Sequence, residues 1–86
     1  MTPAQLAADL IALIEREIAA IDEPIVPETD LLLTGAVDSL GVIRIVDWLE
    51  EQLAIEIDPA DVILEHFISV EAMVAYVGRR EALAAS

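Results

Sequence analysis

Gly35-Ala36-Val37-Asp38-Ser39-Leu40 is the stretch from which the chain's organisation can be read. A permissive glycine leads to Asp38, a good helix N-cap, and Ser39 takes the first helical position. A helix over residues 39–53 follows from that start. At 100° per residue Val42, Ile45, Val46, Leu49 and Leu53 share one face and form its core side. Leu40 and Ile43 fall outside that arc, close to Ser39, with Arg44, Asp47 and Glu51 beside them. Trp48 lies further round, nearly opposite Ser39. Two aliphatics beside a serine on a polar face read as a contact patch, although scattered exposed hydrophobics are normal. Amide N–H groups and the helix dipole favour an anion at this end, so a phosphate ester on Ser39 sits well there. Asp-Ser-Leu alone is weak evidence, because many unmodified helices begin that way.

Outward from this point the punctuation is helical. Thr2-Pro3-Ala4-Gln5 is a capping-box pattern with proline at the first position. Leu6, Leu10, Leu13, Ile14, Ile18 and Ile21 recur at helical spacing, so a first helix is expected over about 3–20. Pro24 and Pro27 stop it and open a long loop, 21–38, whose Leu31-Leu32-Leu33 is apolar enough to tuck across the bundle. Asp58-Pro59 repeats the cap-then-proline signal and predicts a short third helix over about 59–64. Ser69 with Glu71 opens a last helix over about 70–83, whose final turns carry Arg79 and Arg80, cations suited to the negative end of its dipole. Ile55-Glu56-Ile57 alternates like a strand but has no partner. The expected fold is all-α: one domain over 1–86, a small four-helix bundle with a long first loop and a short third helix.

Composition narrows the function classes. At 86 residues with 57% hydrophobic content, the chain can bury roughly 60% of its unfolded surface in an aliphatic core, which argues against disorder. Seventeen acids face four arginines and no lysine, a formal net charge of −13. Nucleic acid and anionic membrane are therefore disfavoured as partners. The charge suits solubility and basic protein partners. Without cysteine the chain supplies neither disulfide nor thiol. No basic-then-apolar leader and no long apolar run is visible, so a cytoplasmic setting is expected.

Gly35 to Leu40, at the boundary between the long loop and the second helix of an acidic chain, resembles the acyl and peptidyl carrier proteins. The resemblance runs along almost the whole chain. It takes in Glu28-Thr29-Asp30-Leu31-Leu32, the run Val42 to Leu53, Ile55-Glu56-Ile57, Asp58-Pro59-Ala60-Asp61 and Phe67-Ile68-Ser69-Val70. It implies a four-helix bundle of the acyl-carrier type, stand-alone and monomeric. It also implies that Ser39 receives the 4′-phosphopantetheine arm of coenzyme A from a phosphopantetheinyl transferase using magnesium. Asp38 then helps place magnesium and coenzyme in that complex, and Leu40 is an apolar contact for the enzyme. The arm's thiol holds an acyl or aminoacyl cargo as a thioester, and the carrier itself catalyses nothing. An adenylating ligase or acyltransferase and downstream synthetic enzymes read helix two, with Leu40, Ile43, Arg44, Asp47 and Trp48 as contact residues.

The chain departs from carriers of fatty-acid synthesis in places that matter. Those carriers typically have acids two and five residues after the modified serine, where Gly41 and Arg44 stand here. Asp47 replaces a usual aliphatic, and Trp48 follows it. These changes weaken an acidic docking surface and favour a specialised pathway with a dedicated adenylating enzyme, a fatty-acid role being the alternative.

Two chemical readings and one unmodified reading compete. Ser39, His66 and an acid have the composition of a hydrolytic triad, and Gly35 and Asp38 echo the Gly-Asp-Ser-Leu hydrolases. Ala36 and Val37 interrupt that motif, and Ile63 stands where those enzymes place an Asp before His66, so the triad is rejected. Asp58, Asp61 and Glu65 lack the alternate spacing and central glycine of a calcium loop, so a solvated acidic face is the better account and no metal site is expected. An unmodified acidic interaction bundle shares the charge and the Leu40/Ile43 patch but gives no reason for Ser39 to follow Asp38.

Self-repulsion of −13 charges acts against a small core. Added salt or magnesium is therefore expected to raise the melting temperature, and a salt-insensitive melt counts against this electrostatic account.

Overall fold

The computed structural model describes residues 2–18 and 23–85. Four α-helices succeed one another: α1 (Pro3–Leu13), α2 (Ser39–Leu53), α3 (Leu64–Phe67) and α4 (Val70–Ala85). No strand occurs among the described residues, and Ile55 to Ile57 is an irregular link with Ile57 buried. α1 and α3 both pack on α4, and the common core is aliphatic apart from Phe67, Tyr76 and Met73. The fold is the helical bundle expected of an acyl-carrier-type chain.

α1 begins with a complete capping box. Gln5 N–H donates to the Thr2 hydroxyl and Thr2 N–H to the Gln5 side chain, which satisfies two otherwise orphaned donors. Leu6, Leu10 and Leu13 then bury their side chains at helical spacing. The expected single helix over about 3–20 is corrected within its described part: after Leu13 the backbone widens into a π-helical turn, Ile14–Ile18. Residues 19 and 20 lie outside the described residues. The wider turn keeps Ile14 buried directly after Leu13. It also aims two acids at tertiary partners, since Glu15 accepts the Ile25 N–H at 2.9 Å and Glu17 pairs with Arg44. Residue spacing carries no signal for such a turn, because its widening answers contacts far along the chain.

The described part of the long loop is laced down by backbone hydrogen bonds. Leu31 N–H donates to Ile68 O at 2.8 Å, Val37 N–H to Leu31 O at 3.0 Å, and Glu71 N–H to Pro27 O at 2.9 Å. The tripeptide Leu31-Leu32-Leu33 divides its roles. Leu31 is fully buried, Leu32 is half-buried and Leu33 stands out in solvent, because Asp30 caps a tight turn by accepting the Leu33 N–H.

α2 starts where Asp38 accepts the Gly41 N–H at 2.9 Å and ends where Ala54 adopts a left-handed conformation, φ 52°. Its inner face presents Ile45 and Leu49, both fully buried, with Val42, Val46, Leu53 and Trp48 packed partly against the core. Gly41 is buried where α2 crosses the π-helical turn. A Cβ there lies 2.8 Å from Ile18 Cγ2 and 2.9 Å from Val37 Cγ1, so only glycine fits. Sequence comparison alone treats Gly41 as a lost docking acid; in the fold it is a close-packing position.

The expected third helix over about 59–64 is replaced by two shorter pieces. Pro59–Asp61 forms one 3₁₀ turn, and α3 follows only at Leu64. Asp58 does cap the turn, accepting the Ala60 N–H at 2.9 Å. Continuation fails because Asp61 is claimed from elsewhere: its carboxylate accepts the Tyr76 O–H at 2.9 Å, and its carbonyl bonds His66 Nδ1 at 2.8 Å. α4 is capped by Ser69, whose hydroxyl accepts the Ala72 N–H, and buries Val70, Met73, Tyr76 and Val77. Arg80 does not serve its own helix end; its guanidinium donates to the Glu56 carbonyl and ties α4 to the link after α2.

This packing has two measurable consequences. Overpacking at Gly41 costs about 1–3 kcal/mol against a helix-propensity gain of up to ~1 kcal/mol. Gly41→Ala is therefore expected to lower the melting temperature by several degrees in calorimetry. Burial, then the hydrogen bond to Asp61, push the Tyr76 phenol above its ordinary value of 10.0. A raised folded value means that this contribution to stability is complete below the unfolded value and lost as pH rises through the folded one. Tyr76 is the only tyrosine, so its absorbance titration is expected to have a higher midpoint native than in denaturant, with stability falling in that alkaline window.

Candidate functional site

The site is built on the N-terminus of α2. Asp38 is extended, and its Oδ1 takes the Gly41 N–H, which fixes where the helix begins and leaves Ser39 in its first turn. The Val42 N–H bonds the Asp38 carbonyl at 3.0 Å. Among the described residues, the Ser39 and Leu40 N–H groups have no protein acceptor, and Ser39 is exposed. The helix start thus offers a free hydroxyl beside two free amides at the positive end of a 15-residue helix. Gly35, in a left-handed conformation at φ 79°, lets the chain turn into this start while Ala36 and Val37 bury behind it.

Around Ser39 the surface is apolar. Leu40 is 70% exposed and Ile43 55%, one helical turn apart on the outer side of α2. Ile43, with Ser39, also borders a shallow cleft of about 420 Å³ between α2 and α3, lined by Leu32, Val42, Val62, Ile63, Leu64 and Phe67. Leu64 and Leu33 stand out at 60% and 85% exposure. Ile63 and Leu64 escape a reading of the sequence, because they lie at the end of the helix expected over 59–64. The signal available for them is the run of three consecutive aliphatics, Val62-Ile63-Leu64, more than one face of a short helix can bury.

The remaining sequence-level candidates divide. Arg44 and Asp47 continue the exposed side of α2 after Leu40 and Ile43. Trp48 does not share that stripe; it is half-buried and packs against the core. His66 is part of the packing as well, its ring stacked on Tyr76 with centroids 4.6 Å apart and its Nδ1 on the Asp61 carbonyl. Asp58 and Asp61 are occupied as a cap and as the Tyr76 acceptor. No described helix is long and apolar enough to cross a membrane.

Against protein-family models, residues 6–77 match the phosphopantetheine attachment site family. That match spans most of the chain, and the chain belongs to this family of carrier proteins. Members carry a covalently attached 4′-phosphopantetheine group, are generally non-catalytic, and interact with a phosphopantetheinyl transferase and with synthetic enzymes. Among solved structures, a chain titled "Crystal structure of FAD-dependent dehydrogenase" superposes with a TM-score of 0.70 at 23% identity, covering 80% of this chain and 99% of that one. At that identity the likeness speaks for the fold. No curated protein sequence matches significantly.

The residues at the start of α2 fit the group. A phosphodiester needs an accessible hydroxyl and tolerates no crowding, and Ser39 offers the first on an open helix edge. The negative charge of such an ester is favoured by the two free amides and the helix dipole. An arm leaving Ser39 has an apolar wall beside it in the α2–α3 cleft.

Proposed function

We propose that Ser39 is the residue that carries the 4′-phosphopantetheine arm, and that the 86 residues act as one carrier domain in the cytoplasm. The observation that carries this reading is the exposed Ser39 hydroxyl, with two unpartnered amides, at the capped start of α2 inside the family match. The arm supplies the thiol that the cysteine-free chain lacks, holding an acyl or aminoacyl cargo as a thioester.

The protein's own residues bind and present. Asp38 is exposed and spends Oδ1 on the Gly41 N–H, and its carboxylate is the group that would help place magnesium and coenzyme in the transferase complex. In arm transfer the Ser39 oxygen would attack the phosphorus of the coenzyme's pyrophosphate that bears the pantetheine arm. That O–P bond forms, the P–O bond to adenosine 3′,5′-bisphosphate breaks, this nucleotide leaves, and the hydroxyl proton passes to a base of the transferase. Leu40 and Ile43 give partner enzymes an apolar foothold that is desolvated on docking. Catalysis belongs to those partners: the transferase, an adenylating ligase or acyltransferase, and downstream synthetic enzymes. The reading takes the protein as a monomer, and a net charge of −13 disfavours nucleic acid as a partner.

A specialised pathway is favoured over fatty-acid synthesis. Gly41 is packed shut and Arg44 is a cation, so two positions that bear acids in the fatty-acid carriers contribute none here.

Intact-protein mass spectrometry tests the assignment. With coenzyme A, magnesium and a broad-specificity transferase, the parent chain is expected to gain one phosphopantetheine, and Ser39→Ala none. Gain by the Ser39→Ala variant, or none by the parent with several transferases, refutes it. Loading the holo-protein with amino acids and with fatty acids then distinguishes the two pathway classes.

A further inference from the structure

Two of the chain's four arginines meet at one point, beside the start of α2. Glu17, on the π-helical turn, reaches Arg16 at 3.2 Å through one carboxylate oxygen and Arg44 at 3.1 Å through the other. The arginine side chains are 69% and 57% exposed, so both pairs are weak and open to competition. One carboxylate between two guanidiniums leaves a positive charge over. Glu17 and Arg44 line a shallow depression together with Asp38, Leu40 and Gly41; with Arg16 beside Glu17 and the exposed Asp47 one turn past Arg44, the two arginines and three acids sum to −1.

This near-balance is local on a chain of net charge −13. The first turn of α2 holds no acid, and Glu50, Glu56 and Asp58 gather round Arg80 at the far end of the helix. Gly41 is closed against Ile18 and Val37, so no carboxylate can be presented there. Of the six exposed large aliphatics among the described residues, five belong to this end: Leu33, Leu40, Ile43, Ile63 and Leu64. The docking end is therefore apolar and carries an exposed cation, although the whole molecule is strongly acidic.

Resting on the reading of Ser39 as the attachment residue, we infer that the phosphopantetheinyl transferase meets this carrier through an apolar surface that sets a carboxylate against Arg44. A basic groove matched to the net charge is not the docking mode. Such a groove brings cations onto Arg16 and Arg44, and like charges placed together at an interface are unfavourable. An acid on the enzyme instead competes for Arg44 with the exposed Glu17, while the aliphatics around Ser39 lose water to the enzyme's apolar surface.

The test is the apparent KM for the carrier in arm transfer by the transferase of the source organism, with coenzyme A and magnesium, followed by mass. Circular dichroism checks each variant's helicity. Arg44→Glu is expected to raise KM by about tenfold at low salt with kcat little changed, and the effect shrinks as salt is added. Leu40→Gln is expected to raise KM by about tenfold at every salt concentration. The double variant Glu17→Arg with Arg44→Glu keeps an ion pair between the two positions but inverts what position 44 presents, so its KM stays raised. An unchanged or lowered KM in Arg44→Glu overturns the inference, as does recovery of KM in the double variant, which reduces Arg44 to a structural partner of Glu17. A parent chain that is never modified refutes the attachment reading instead, so the two failures are distinguishable.

Discussion

Leu31 holds the long loop to the rest of the bundle. Its side chain is fully buried, its N–H donates to Ile68 O and its carbonyl accepts from Val37 N–H. Those two bonds join the segment between α3 and α4 to the segment just before Asp38. The loop has little regular structure of its own, so ordering it costs on the order of 1–2 kcal/mol per residue in backbone entropy. A buried leucine contributes roughly 1.5–3 kcal/mol toward that, and the burial of Ile25, Ala36 and Val37 adds to it. Where Leu31 sits, the cap at Asp38 and hence the outward edge bearing Ser39 follow.

The acids of this chain are less uniform than its net charge implies. Several are committed within the fold: Asp38, Asp58 and Asp30 cap turns or helix starts, Glu15 and Glu50 accept the N–H groups of Ile25 and Ile57, and Asp61 takes the Tyr76 hydroxyl. Each replaces water at a backbone or phenolic donor, where a charged acceptor is worth more than a neutral one. Among the described residues Glu17 alone gathers two arginines. The surface near Ser39 is left rich in exposed aliphatics, with Asp38, Arg44 and Asp47 among its exposed charges.

Much of the site was legible from local chemistry. Asp38 as the cap, Ser39 in the first turn, and Leu40 and Ile43 turned outward all follow from capping preference and a helical wheel, because each depends only on neighbours within a few residues. Trp48 was legible as lying away from Ser39, but its packing against the core was not. Ile63 and Leu64 escaped because they were assigned to the end of a helix that Asp61 prevents. Tyr76, fifteen residues from Asp61 along the chain, supplies that prevention, and no local pattern records it.

By itself the amino-acid sequence determined the four-helix order, the capped ends at Thr2, Asp38 and Ser69, and the inner faces of α1 and α2. These are set by hydrogen bonds and periodicities that span a turn or two. Only the tertiary structure decided that α1 leaves through a π-helical turn, that Gly41 is a contact too close for any side chain, and that the third helix breaks in two. It also decided that Arg80 crosses to Glu56 and that Arg16 and Arg44 share Glu17. The physical reason is common to all of these: each is a bond or a close approach between residues distant in the chain, and its geometry exists only once the helices have packed.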